Sequence, residues 1–264
     1  MTSFLQFNNL SLAFSGKKII AGLSGRFISG KLNLVVGRAG SGKSSLLLAI
    51  AGFHKECQGE ILDDQGRFTA AGNISLAFQN PESLFFNPTV GDEIEFALRM
   101  RALPENEITD RSRDWLAKWG LPPEVYYSKH PLELSGGEKR RVALAACSVF
   151  LPRVIMLDEP LAGLDFKGQR SLADMLAVIA SDHVVIVVTH EPEIFLTDDT
   201  NILLLSEANG TWFSGSEFLR RSLEHEDFYP LPAWYRQAVG PFIKHAALPA
   251  VNASSVADFL QKVR

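Results

Sequence analysis

The run Gly37-Arg38-Ala39-Gly40-Ser41-Gly42-Lys43-Ser44 constrains this chain more than any other stretch. It fits the pattern G-x-x-x-x-G-K-[ST], in which glycines let the backbone curl until its N–H groups face inward. Such a loop cradles phosphate oxygens, and it needs a strand before it and a helix after it. Both are legible here. Leu32-Asn33-Leu34-Val35-Val36 is a short apolar strand, and Lys43 to Ala51 reads as a helix stopped at Gly52. Lys43 can then reach the β- and γ-phosphates of a nucleotide, and the Ser44 hydroxyl can ligate Mg²⁺. Ser45 belongs to the same cradle. The alternative is a glycine-rich turn with no ligand.

A second half-site is acidic. Asp158 ends the apolar run Val154 to Leu157, and Glu159 follows it. A carboxylate at the end of a buried strand needs a counter-charge. Mg²⁺ beside the phosphate loop would supply one. Glu159 would then orient or deprotonate a water attacking the γ-phosphate. Asp-Glu-Pro is also good turn chemistry, which is the plainer reading.

The other strand and helix patterns fix the fold class as α/β. Phe4 to Phe14 reads as a half-buried strand, and Gly59 to Phe68 as a hairpin turning at Asp64-Gln65-Gly66. Helical periodicity occupies Val90 to Met100 and Thr109 to Trp119, until Pro122-Pro123 breaks it. The continuous β-branched runs Val154 to Leu157, Val184 to Val188 and Ile202 to Leu205 read as parallel strands buried on both faces, with a helix from Gly168 to Ala180 between the first two. A final helix is expected through Leu260, capped within Asn252 to Ser255.

Composition excludes several classes. A net charge of −4 offers no basic footprint for nucleic acid. The start Met1 to Gln6 carries no basic, apolar leader, so no signal peptide is expected. The longest apolar run, Leu46 to Phe53, is far short of the roughly 20 residues that span a bilayer. Any membrane role must therefore run through a partner. Cys57 and Cys147 lack metal or redox spacing and are expected as free thiols.

Leu134-Ser135-Gly136-Gly137-Glu138 is the stretch that names a family. Ser135 and Glu138 form a capping box before the helix of Arg140 to Phe150. A capping box does not need Gly136 and Gly137, whose bare amides at a helix start make a second anion site. Here the chain resembles the ABC ATPases, whose signature motif this stretch matches. Their other marks fall in order. Gln79, after the strand Ile74 to Phe78, is similar to the Q-loop glutamine. Leu161-Ala162-Gly163-Leu164-Asp165 resembles the D-loop, and His190 after Thr189 resembles the switch histidine. Phe14 stands where the family has an aromatic stacked on adenine. The plainer readings are a core-facing Phe14, a structural His190 and a surface Gln79.

The resemblance implies a P-loop NTPase fold: a RecA-like core with an antiparallel β subdomain, an inserted helical subdomain near 88–150, and a small C-terminal helical extension. The ATPase domain would cover 1–214 and the extension 215–264. It further implies ATP and Mg²⁺ as cofactors. Two subunits would sandwich two ATP molecules, each between one P-loop and the other subunit's signature. Ser44, Gln79 and Asp158 would serve the metal, Glu159 would be the base, and His190 would touch the γ-phosphate.

Within the family, Phe78-Gln79-Asn80-Pro81-Glu82 and Pro88 to Phe96 resemble the energy-coupling-factor importers of cobalt, nickel and vitamins. That likeness implies a second ATPase subunit, an integral-membrane scaffold, a substrate-binding membrane subunit, and a peripheral place on the cytoplasmic face of the cell membrane. Glu82, with Asp92, Glu93 and Glu95 nearby, would receive scaffold arginines; a solvated helix start is the plainer reading. Arg38-Ala39, Leu84, Leu161 and Phe166 depart from the family pattern without removing a catalytic group. A soluble ABC ATPase of the iron–sulfur assembly type is the alternative function.

Overall fold

The computed structural model describes residues 3–237, apart from 55 and 226. Two sheets organise it. The first is antiparallel, with strand order β2-β1-β4-β5, built from β1 (Phe4–Phe14), β2 (Lys17–Ile28), β4 (Cys57–Asp63) and β5 (Gly66–Arg67). The second has order β10-β9-β3-β8-β7-β6. It comprises β3 (Asn33–Gly37), β6 (Ile74–Ala77), β7 (Val154–Asp158), β8 (Val184–Val188), β9 (Asn201–Ser206) and β10 (Asn209–Ser214). Its pairs are parallel except for the β9–β10 hairpin.

The runs of β-branched residues have the predicted cause. Alternate side chains of the parallel strands feed two separate cores. Val36, Ile155, Leu157, Val185 and Val187 enter one, while Val35, Val154, Met156, Val184 and Ile186 enter the other. A strand buried on both faces has no polar side to alternate with. The first core is closed by α2 (Val90–Arg99), α3 (Glu105–Lys118), α5 (Gly136–Ser148) and α6 (Phe166–Ile179), through Ile94, Trp115, Leu144 and Leu172. The second is closed by α1 (Lys43–Ile50) and by the antiparallel sheet, through Leu46, Ile50, Phe7 and Phe27.

Between β6 and β7 the chain is helical, as expected, and includes the short α4 (Pro123–Tyr126) beyond the proline break. Two strands escaped the sequence reading. In β2, Gly22 and Gly25 have positive φ, and its pairing with β1 slips at three places, so the period of two is broken. β10 is a sheet edge with one buried residue, Phe213, which leaves little apolar signal. After β10 comes α7 (Gly215–Glu224), then a helical turn over 233–237. The helix expected through Leu260 lies outside the described residues. Among those residues no helix is long and apolar enough to cross a membrane. Cys57 and Cys147 are both free.

Candidate active site

The phosphate loop joins β3 to α1, and two of its glycines, Gly37 and Gly42, leave no room for a side chain. Gly37 has φ 152°, and a Cβ there would meet the Leu205 carbonyl oxygen at 2.4 Å. Gly42 is the N-cap of α1 at φ 97°, with no side-chain cap, so the first amides of the helix are left for a ligand. Lys43 is buried and folds back across the loop, donating to the carbonyls of Gly37 (3.0 Å) and Arg38 (3.2 Å). Burial lowers its pKa, against the pull of Glu159 and Asp158. Arg38 and Ala39 lie exposed.

A groove of about 600 Å³ opens on this loop, lined by Gly40 to Ser45, Phe14, Lys17, Lys18, Ile19, Glu207 and Ala208. Phe14 is 68% exposed, which rules out a core-facing ring. Glu207 and Ala208 were not anticipated. They form the β9–β10 turn with φ 49° and 64°, a conformation usually taken by Asn-Gly; here the Asn209-Gly210 pair lies two positions on, inside β10.

The acidic half-site meets the loop directly. Ser44 Oγ donates to Asp158 Oδ2 at 2.7 Å. Two hard oxygen donors side by side at a helix start fit Mg²⁺, which is held by few protein ligands plus phosphate. Glu159 turns the chain at φ 51°, a left-handed backbone for a non-glycine residue. Its N–H bonds the Val188 carbonyl (2.9 Å), and its Oε2 accepts from the His190 amide (3.3 Å). His190 Nε2 stands 3.4 Å from Glu159 Oε1, yet that oxygen is buried with no hydrogen bond. Burial raises the Glu159 pKa and lowers that of His190. A carboxylate so placed can accept a proton from a water, beside an imidazole that is neutral at pH 7.

The glycine-rich helix start behaves as its sequence predicts. Ser135 caps α5 in a reciprocal box: its N–H donates to Glu138 Oε2 (2.8 Å), and Glu138 N–H donates to Ser135 Oγ (3.4 Å). Tyr126 Oη donates to Glu138 Oε1 (2.7 Å), and these bonds pull the Glu138 pKa down to about 2. Space around Gly136 is open. None of Ser135, Gly136, Gly137 and Glu138 lines the groove on the phosphate loop. The two glycine-rich helix starts are therefore separate on this chain.

Gln79 follows β6 with an exposed side chain, and only its carbonyl is held, by Arg140 Nη1. The structure does not bring its amide to Ser44 or Asp158. Asp165 caps α6 through the Gly168 amide at 2.8 Å. Two departures have local causes: Leu161 is buried in the core, and the Phe166 ring meets Trp234 edge-on at 6.2 Å.

The acids expected to face a partner are largely engaged within the chain. Glu82 pairs with Arg140 at 3.0 Å. Glu93 accepts from the Asn87 amide (2.9 Å), and Glu95 holds Arg99 (2.7 Å) and Tyr127. Glu93 and Glu95 are buried, so a merely solvated helix start does not describe them.

Known proteins resemble this chain in sequence and fold. The ABC transporter family model matches residues 20–162. A putative ABC transporter ATP-binding protein of Pyrococcus abyssi is 35% identical over 209 residues, covering 76% of this chain and 79% of that one. Energy-coupling factor transporter ATP-binding protein EcfA1 of Thermotoga maritima is 36% identical over 224 residues, covering 82% and 84%. Among solved structures, cbiO1 from Clostridium perfringens, part of the ABC transporter complex cbiONQ, superposes with a TM-score of 0.72 at 25% identity, covering 84% of this chain and 96% of that one. The family match runs through the loop that holds Lys43 and spans more than half of the sequence, and with it this chain belongs to the ABC transporter ATPases, related to their energy-coupling-factor branch.

Proposed function

We propose that this ATPase powers an energy-coupling-factor importer for a vitamin or a transition-metal ion. It would work with a second ATPase subunit, an integral-membrane scaffold and a substrate-binding membrane subunit, on the cytoplasmic face of the cell membrane. Residues 1–214 would form the ATPase domain, with the helical subdomain near 88–150, and 215–264 the extension that helps hold two ATPase subunits together. The transport part of the reading rests on relatives named as energy-coupling factor ATP-binding proteins.

For hydrolysis, the observation that carries the reading is the buried, unpartnered Glu159 oxygen beside His190 and the Ser44–Asp158 pair. Phe14 stacks on adenine across the groove. Lys43 exchanges its two carbonyl partners for β- and γ-phosphate oxygens, with the α1 amides around them. Ser44 and Asp158 would hold Mg²⁺, with Gln79 as a further ligand. When bound, Mg²⁺ neutralises charge on the phosphates. Glu159 takes the proton of a water whose oxygen bonds the γ-phosphorus as the bond to the β-bridging oxygen breaks, leaving ADP. His190 contacts the γ-phosphate. Ser135, Gly136, Gly137 and Glu138 serve the ATP of the facing subunit.

Two measurements test this. Lys43→Ala should lose about 100-fold or more in turnover, and full activity would sink the phosphate-loop assignment. Pull-down from native membranes should recover integral-membrane partners. Recovery of cytosolic partners alone would instead support an ABC ATPase without a transport role.

A further inference from the structure

Arg140 sits on α5, one turn in from Ser135, and only 2% of it is exposed. A guanidinium is rarely buried that far without full pairing. Here its donors reach two separate stretches of chain. Nε donates to the Pro160 carbonyl (3.1 Å) and Nη2 to the Glu159 carbonyl (2.6 Å). Nη1 donates to the Gln79 carbonyl and to Glu82 Oε2 (3.0 Å). Among the described residues Glu82 is its one carboxylate partner. A single planar fork thus joins the signature helix to the Gln79 loop and to the turn after β7.

The turn it grips is the strained one. Glu159 holds φ 51°, and both its peptide groups are tied: the N–H to Val188 and the C=O to Arg140. A sparsely populated backbone persists only where its surroundings over-determine it. Without the Arg140 bond, the Glu159 turn would lose one of the two backbone bonds that fix it.

We propose that Arg140 is a positioning residue for ATP hydrolysis, fixing the Glu159 turn and the Gln79 loop to the helix that begins at the signature. This inference rests on the reading of Glu159 as the general base. Through this fork, the helix that carries the signature bears directly on the Gln79 loop and on the base of this subunit's own site. Lysine cannot replace the fork, because its single ammonium cannot span acceptors on both stretches in a fixed plane.

The test compares Arg140→Lys, Arg140→Gln and Glu159→Gln in the full chain. Three quantities are read: thermal midpoint, affinity for a fluorescent ATP analogue without Mg²⁺, and kcat. The expected result for Arg140→Lys is a folded protein that binds the analogue within about threefold of the parent, while kcat falls about 100-fold, the scale of a misplaced catalytic group. Arg140→Gln should lose at least as much kcat. Parental kcat in either folded variant would overturn the inference. So would a loss of turnover matched by lost nucleotide affinity, or failure of both variants to fold, since each makes Arg140 merely structural. Parental turnover in Glu159→Gln would overturn the general-base reading and the inference with it. Slow turnover there, beside parental turnover in Arg140→Lys, would overturn the inference alone.

Discussion

Ser44 Oγ donates to Asp158 Oδ2 at 2.7 Å across 114 positions of sequence. The contact ties the first turn of α1 to the end of β7, and it puts Glu159, the next residue, at the mouth of the phosphate loop. Strand order explains it. β3 and β7 flank β8 in the parallel sheet, so their carboxyl ends open on one edge, where such sheets bind ligands.

Glu159→Gln should bind ATP and hydrolyse it about 100- to 1000-fold more slowly, the usual worth of a positioned base. The amide keeps the bond from the His190 N–H, which lies 3.3 Å from Oε2, and loses the proton acceptor. Size-exclusion chromatography with ATP and Mg²⁺ should show a longer-lived closed dimer. Parental turnover would remove Glu159 from the role.

Most of this edge was legible beforehand, because phosphate chemistry demands particular residue types at fixed spacing. Lys43, Ser44, Asp158 and His190 each followed an apolar strand. Other parts were illegible for physical reasons. β2 hid behind glycines and slipped pairing. The groove wall at Glu207 and Ala208 uses a turn without glycine. In sequence Arg140 stands between Lys139 and Arg141, one of three consecutive cations. Helical spacing does not single it out, because Lys139, Arg140 and Arg141 each have buried residues three and four positions on.

Ser135→Arg should stop hydrolysis while sparing the chain's own phosphate loop, since Ser135 does not line that groove. Mixed with Lys43→Ala subunits, each mixed dimer carries one doubly damaged site and one intact site. Turnover should partly return on mixing, read as phosphate release against subunit ratio. Absence of recovery at every ratio counts against independent composite sites.

Glu82→Ala should destabilise the isolated subunit by about 1–3 kcal/mol, because it strips the carboxylate from a guanidinium that is 2% exposed. Thermal unfolding of the subunit without any scaffold is the measurement. An unchanged midpoint would mean that Glu82 is free to serve a partner instead. Weaker scaffold association in this variant is interpretable only beside that midpoint.

Glu193 supplies a pH dependence of stability with a definite sign. It is buried three residues after His190, with Oε2 unpartnered. Burial, with Glu191 nearby, pushes its pKa from 4.5 up to about 7. Tyr229 and Tyr235 face it as neutral phenols, held protonated by burial and by Glu193 itself, and a phenol carries no positive charge to compensate a carboxylate. The folded pKa exceeds the unfolded one. Its stabilising contribution is therefore complete below about 4.5 and disappears as pH rises to about 7. Across that window the folded protein keeps a proton that the unfolded chain has released. The loss amounts to about 2 kcal/mol after allowance for solvent screening. Glu193→Gln cannot ionise, so it should melt about 5 °C above the parent at pH 8, and the gap should close at pH 5. Thermal unfolding of both proteins at the two pH values decides it. An equal gap at both would show that Glu193 does not change its ionisation on folding.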